Sequence, residues 1–356
     1  MILVTLLAAL LALYAYPPAG RQPLQAFYGR LCLSTAKRLN AGDRNSGVLA
    51  YAALLGVVLV PLALVSALAA SIHGVVLALL EAAVLYGSLR FLQTTSHLGA
   101  IERSLREGDS AAASRRLAEW LGEAPPSDDP GTTARLAAEQ GLRESHQGTF
   151  AILFWFLVLP GPLGAVAYPL TQRAARLWDA AVDPDEREFG WFAGRAFEVL
   201  DWVPQRVSAF VFAIVGDFED ALYCWRSQAA QWLRPEEGIV LASGAGALGV
   251  RLGDPIVRGE ALVDRPALGV GEPAGEEALS KMAPGRTLAP PAGRRYPHPG
   301  QPQQVLGHLE QRQHEQQRGQ QRHFRAGHPA GVRRHLGAVV RRHPTGAPGA
   351  GCPGRT

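Results

Sequence analysis

Three stretches hold side chains whose types and spacing suit work on a phosphorylated substrate. In Glu139-Gln-Gly-Leu-Arg143-Glu144-Ser-His146, residues 139, 143 and 146 fall at i, i+4 and i+7, one face of a helix. A carboxylate, a guanidinium and an imidazole so placed can grip a phosphate or a metal; the plainer reading is a solvated helix end. In the second stretch, Phe189-Gly190 through Arg206, Arg195, Glu198 and Asp201 recur every three residues among Trp191, Phe192 and Trp202. Arginine binds phosphate through two parallel N–H bonds, and the acids can hold Mg2+ or orient the arginine. The alternative is an ion-pair network on a membrane-surface helix anchored by Trp191 and Trp202. The third stretch is Gly244-Ala-Gly246-Ala-Leu-Gly249-Val-Arg251-Leu-Gly253-Asp254. Gly244, Gly246 and Gly249 match the glycine spacing of a dinucleotide site, Gly238 to Ser243 reads as a strand, and Asp264 follows 20 residues after Gly244. That site also needs alternating strands and helices on both sides, which the surrounding sequence lacks. The dinucleotide reading is therefore set aside.

The elements that must carry these residues are largely apolar. Val48 to Ala70 runs 23 residues without a charge, enough to cross a bilayer core, which takes about 20 apolar residues as a helix. Val75 to Leu92 continues as a second apolar run, interrupted by Glu81 and closed by Arg90, so a membrane hairpin is expected. Phe150 to Leu170 is a third uncharged run, with Pro160-Gly161-Pro162 at its middle. Met1 to Tyr16 reads as a short uncleaved first span, because no basic residue precedes it and no small-residue cleavage site follows. Basic residues between Arg21 and Arg44 place that loop in the cytoplasm. Between the spans, Leu98, Ile101 and Leu105 mark an amphipathic helix, and Pro125 to Pro130 a linker.

The expected fold is mainly α: a polytopic integral membrane protein of about four transmembrane helices, with amphipathic interfacial helices and a disordered C-terminal tail. Four regions follow: 1–92, membrane helices with a basic loop; 93–148, a polar helical loop; 149–284, a span and the glycine-bearing region; 285–356, the tail.

Charge divides at the same point. The tail from Gly285 holds 12 Arg, no Lys and 2 Glu, a charge of +10, so the whole-chain +4 leaves −6 on residues 1–284. The basic character belongs to the tail and gives no ground for a nucleic-acid partner. The tail also has 7 of the chain's 10 histidines and 9 glutamines, and His308, His314 and His323 invite a metal-binding reading. Arg, Gly, Pro, Ala, His and Gln are what out-of-frame GC-rich codons yield, so a frameshifted tail is the preferred reading. The cysteines, Cys32, Cys224 and Cys352, form no paired framework.

Taken in order, the motifs resemble the CobD/CbiB family of membrane proteins in cobalamin biosynthesis. Glu144-Ser145-His146 resembles an acidic motif ahead of a span, and Gly164-Ala-Val-Ala-Tyr168 a G-x-x-x-A-Y segment. Phe189-Gly190 through Asp201-Trp-Val-Pro204-Gln-Arg206 resembles the F-G … D-x-x-P-x-R stretch. Ala245 to Gly253 resembles the closing A-G-A-L-G-V-R-L-G loop, with Arg265-Pro-Ala-Leu-Gly269 behind it. The family's N-T-x-D after the tyrosine is absent; Pro169-Leu-Thr-Gln-Arg173 stands there. The resemblance implies a multi-pass protein of the bacterial inner membrane. It implies ATP-dependent amide formation, with Mg2+, between the corrinoid adenosylcobyric acid and aminopropanol or its phosphate. On that basis Glu144, Arg195, Glu198, Asp201, Arg206 and Arg251 are the expected catalytic residues, and Gly244, Gly246, Gly249 and Gly253 line the bound cofactor. The Asp-Trp-Val-Pro form also resembles AmpE, a relative, and implies a competing non-catalytic regulator of β-lactamase induction and cell-wall recycling.

Overall fold

In a computed structural model of the chain, residues 2–15, 23–178, 187–258 and 261–282 are described. The tail, with its expected disorder, frameshift origin and histidine clusters, lies outside the described residues, as do residues 16–22, 179–186 and 259–260.

The described chain is helical, with two small β-ladders near its end. Helix α1 (Ile2–Ala15) packs against α4 (Gly74–Ser88), and α2 (Pro23–Leu39) packs on α3 (Arg44–Ile72). Asp43 caps α3 by accepting from the Ser46 amide, and the helix runs unbroken through Pro61. Its 29 residues span about 44 Å at 1.5 Å each. Helix α3 and the 74–106 segment are long and apolar enough to cross a membrane, and only 17% and 22% of their most apolar windows are buried inside the protein. A soluble protein's core helix would be mostly covered. Here Val57, Leu64 and Leu68 on α3 and Val75 and Leu79 on α4 face outward.

The first two apolar runs form consecutive helices, α3 and α4, that touch one another, and the second helix is shorter than its run. The second apolar run breaks at Leu89, which is extended (φ −72°, ψ 135°), and the chain restarts as α5 (Phe91–Arg106). At the break the Arg90 amide donates to the Gly148 carbonyl at 2.9 Å, turning the Arg90 side chain inward.

The third uncharged run departs from expectation. Instead of one crossing it forms a helical hairpin: α8 (Ala151–Val158) descends, Gly161 turns at φ +64°, and α9 (Leu163–Leu177) returns. The Pro160-Gly161-Pro162 sequence removes two amide donors and supplies the left-handed turn. Gly164 lets the two arms touch, since a Cβ there would lie 2.0 Å from the Trp155 carbonyl oxygen. The part of the uncharged run in the first arm, residues 150–158, reaches only about 14 Å, short of a bilayer core.

Before α8 the helix continues backward without a break through a π turn (His146–Phe150) into α7 (Pro130–Ser145). Helix α10 (Arg187–Val215) then runs against α3, α9 and α12 (Pro235–Leu248), and α11 (Phe218–Gln228) lies between α10 and α12. Three apolar clusters result. Two lie among the first ten helices, one around Leu85, Ile152 and Tyr168 and one around Tyr28, Leu54 and Trp178. The third joins α5, α6 (Ser110–Leu121) and α7 to α11, α12 and α13 (Glu276–Met282). The stretch predicted as a polar loop, 93–148, thus shares its core with residues beyond 220.

Candidate functional site

Four helices bring the polar residues together. The end of α7, the π turn, α9, α10 and the start of α12 enclose a cavity of about 660 Å3. Arg143, His146 and Gln147 come from α7 and the π turn, Arg176 from α9, Arg195, Glu198 and Asp201 from α10, and Arg234, Glu236 and Glu237 from the head of α12. A π turn inserts an extra residue into the helical repeat, a device often found beside functional residues. Here it directs His146 and Gln147, neighbours in sequence, to opposite charges. His146 Nε2 lies 3.0 Å from Asp201 Oδ1, and Gln147 Oε1 accepts from Arg176.

Asp201 is the hub of a buried network. It accepts from Tyr168 Oη at 2.7 Å and from Gln205 Nε2 at 2.8 Å as well as facing His146, whose Nδ1 is 2.9 Å from Ser208 Oγ. Asp201 and His146 are each only 2% exposed. A carboxylate with this many donors is held ionised and fixed in orientation, the condition under which a buried charge is tolerable. Nearer the cavity mouth Arg195 donates to Glu198 at 2.6 Å.

Of the residues expected to be catalytic, Arg195, Glu198 and Asp201 therefore meet on one wall. Glu144 stands behind that wall, ion-paired with Arg90 at 3.0 Å and bonded by Gln140. Arg206 is off the wall: its guanidinium stacks 3.9 Å over the Trp202 ring and donates to the Trp202 carbonyl. Arg251 is also elsewhere, 3.6 Å from Asp254. The helical face of Glu139, Arg143 and His146 is divided. Arg143 and His146 open on the cavity, whereas Glu139 points to the other side and pairs with Arg265 at 2.8 Å.

The glycine expectations need correcting. Gly238 to Ser243 is helix, not strand, and Gly244 and Gly246 lie inside the same α12. Neither faces open space: a Cβ on Gly244 would meet Leu142 at 2.6 Å and one on Gly246 the Asp220 carbonyl oxygen at 2.5 Å. Their service is close helix packing, the room a ligand would need being occupied by protein. Gly249 ends α12 in the left-handed conformation (φ +67°), a usual glycine C-cap. Gly253 (φ +82°) turns the chain between two short ladders, β1 (Arg251–Leu252) with β4 (Leu268–Gly269) and β2 (Ile256–Arg258) with β3 (Ala261–Val263). Glu139 closes this turn, accepting from the Gly253 amide at 3.0 Å while Arg265 donates to the Gly253 carbonyl at 3.2 Å. The signature loop is a clasp, and the R-P-x-L-G arginine is its pin.

Arg176, Arg234 and Glu237 escaped the sequence reading. Arg176 follows an apolar run in the last turn of α9, and Glu236 and Glu237 fill the first turn of α12 behind Pro235. Both are ordinary helix-end charges by pattern, and only the tertiary fold faces them inward.

A helical protein with an outward apolar belt and a charged cavity roofed by a second cluster of helices is the class that fold and site define. A family profile described as "CobD/Cbib protein" matches residues 5–283, and the chain belongs to that family. It is similar to a protein of Stutzerimonas stutzeri named "Cobalamin biosynthesis protein CobD", 35% identical over 258 residues, 71% of this chain and 82% of that one. A protein of the same name from Chromobacterium violaceum is 35% identical over 191 residues, 53% of this chain and 60% of its own. One from Mycobacterium tuberculosis is 32% identical over 177 residues, 47% and 55% of the two chains. No solved structure matches. These relatives lend no support to the AmpE-like alternative.

Proposed function

We propose that the chain is a membrane-embedded synthase of cobalamin biosynthesis, joining a corrinoid propionate, that of adenosylcobyric acid, to the amine of aminopropanol or its phosphate at the expense of ATP. The observation that carries this reading is the cavity. It is walled by Arg143, Arg176, Arg195 and Arg234 together with Asp201, Glu198, Glu236 and Glu237, and the segments of the family resemblance at 144–146 and 189–206 converge on it. Activating a carboxylate by phosphoryl transfer calls for cations that steady the transferred phosphate, and guanidinium groups do this bidentately.

ATP and Mg2+ fit this donor set. Mg2+ is commonly held by one or two carboxylates plus substrate phosphates, so one or two of Glu198, Glu236 and Glu237 would suffice without a preformed cage. Among the described residues no three such ligands lie together. When bound, MgATP would supply the phosphoryl group that activates the propionate carboxylate. Arg195 and Glu198 are assigned to binding and orienting the reactants at the cavity mouth, and Asp201 to receiving the ammonium of the amine. Glu144 supports this wall through Arg90, and Arg206 and Arg251 are assigned to positioning their own helix and loop. The outward apolar faces of α3, α4 and α10 suit several passes through a bacterial inner membrane.

The deciding experiment supplies purified chain with adenosylcobyric acid, aminopropanol phosphate and MgATP and detects the amide product by mass spectrometry. Complementation of a strain lacking this amidation runs in parallel. A membrane-inserted chain that gives neither product nor growth sinks the reading.

A further inference from the structure

The cavity's cations are unequal. Arg195 is neutralised by Glu198 at 2.6 Å, and Arg143 has Glu237 at 3.5 Å. Arg176 is different: among the described residues it has no carboxylate within ion-pair distance, and its polar contact is the neutral side-chain oxygen of Gln147. It lies deep in the protein, yet part of its surface remains open, and that part faces the cavity. The charges that act on it are Glu144, Arg90, Arg143 and Glu237. Behind this wall, and not lining the cavity, Arg90 Nε and Gln172 Nε2 are buried without an acceptor. An arginine largely out of solvent and met by an amide alone keeps an unneutralised charge, which an anion entering the cavity can satisfy.

We infer that Arg176, with Arg143 beside it, forms the anion subsite of the cavity and receives a phosphate group, Gln147 holding the guanidinium in place until the phosphate displaces it. Displacing an amide oxygen does not require an ion pair to be separated, so Arg176 is the cation on this wall most readily given to a ligand. Two sources share this chemistry, a nucleoside triphosphate and a phosphorylated amino alcohol. The inference rests on the synthase reading for the source of the phosphate and on the arrangement of charges for the subsite itself.

The test uses the full chain in nanodiscs of zwitterionic lipid, with pyrophosphate binding followed by calorimetry. Arg176→Gln weakens binding by roughly tenfold or more, the loss expected of a charge-assisted contact. Gln147→Glu weakens it comparably, because the new carboxylate occupies Arg176 from within. This variant gains an ion pair and stays folded, so it decides the matter even if Arg176→Gln does not fold. Arg116→Gln, an exposed change on α6, leaves binding as it was. Competition then assigns the source: the ligand, ATP or the phosphorylated amino alcohol, that displaces pyrophosphate in the wild type and loses affinity in Gln147→Glu is the donor of the group. Folded Gln147→Glu protein that binds pyrophosphate like the wild type overturns the subsite, as does a wild type that binds none. A chain that binds at Arg176 yet makes no amide product sinks the synthase reading and leaves the subsite standing.

Discussion

His146 Nε2 lies 3.0 Å from Asp201 Oδ1, joining the π turn to the middle of α10 across the floor of the cavity. Because Tyr168 and Gln205 donate to the same carboxylate, each partner can be removed singly. Tyr168→Phe should cost about 2 kcal/mol of stability, the range for one hydrogen bond to a charged group. Asp201→Asn should cost more, about 3 kcal/mol or above, since it breaks a buried pair and opposes an amide to donors. Unfolding of the purified variants in detergent reads both, and equal losses would contradict the hub assignment.

Replacing the two helical glycines separates packing from ligand binding. Gly246→Ala presses a methyl group on the Asp220 backbone, which cannot move aside, whereas Gly244→Ala meets the Leu142 side chain, which can. The gain in helix propensity, about 1 kcal/mol, is outweighed at Gly246 by overpacking of about 1–3 kcal/mol. Thermal melting should therefore fall further for Gly246→Ala than for Gly244→Ala. Melting unchanged in both variants, with nucleotide affinity reduced, would restore the nucleotide reading.

The Glu139–Arg265 clasp should govern the loop it closes. Glu139→Gln leaves Arg265 buried without its carboxylate, at a cost of about 3–5 kcal/mol. The segment from Gly253 to Arg265 would then become a preferred site of limited proteolysis. A cleavage pattern identical to the wild type would show that the β-ladders hold the loop without the clasp.

Burial pushes the thiols of Cys32 and Cys224 up to about 11. At pH 8 both stay in the unreactive thiol form, since the thiolate is the nucleophile. A Cys352→Ser chain should take up maleimide only after denaturation. Rapid labelling of the native protein would mean that α2 or α11 packs differently.

Much of this architecture was legible in residue order. The charge-free run at 48–70 lies inside α3, which begins four residues before it and ends two after, because a long uncharged apolar stretch shows in composition alone. The third run misled, since its hydropathy is that of a span and only Pro160-Gly161-Pro162 reveals the fold-back. Asp201, Glu198 and Arg195 share one cavity wall because three-residue spacing on a helix survives folding. Arg206, five residues after Asp201, is outside that spacing, and its guanidinium stacks on the Trp202 ring off the wall. The glycines misled for a different reason: the same small residue serves a phosphate or a neighbouring helix, and only Leu142 and Asp220 reveal which. Arg176 was invisible because its meaning lies in what does not surround it.

The π turn has a consequence for how anything enters the cavity. By giving Asp201 to one residue and Arg176 to the next, it builds into the wall a fixed electric field, negative at His146 and positive at Gln147. A molecule with an ammonium at one end and a phosphate at the other then meets attraction at both ends in one orientation and repulsion at both in the reverse. Deleting a single residue between His146 and Phe150 would restore the ordinary helical repeat and rotate one pole away from the other. Such a chain would keep every charged side chain and lose its sense of direction.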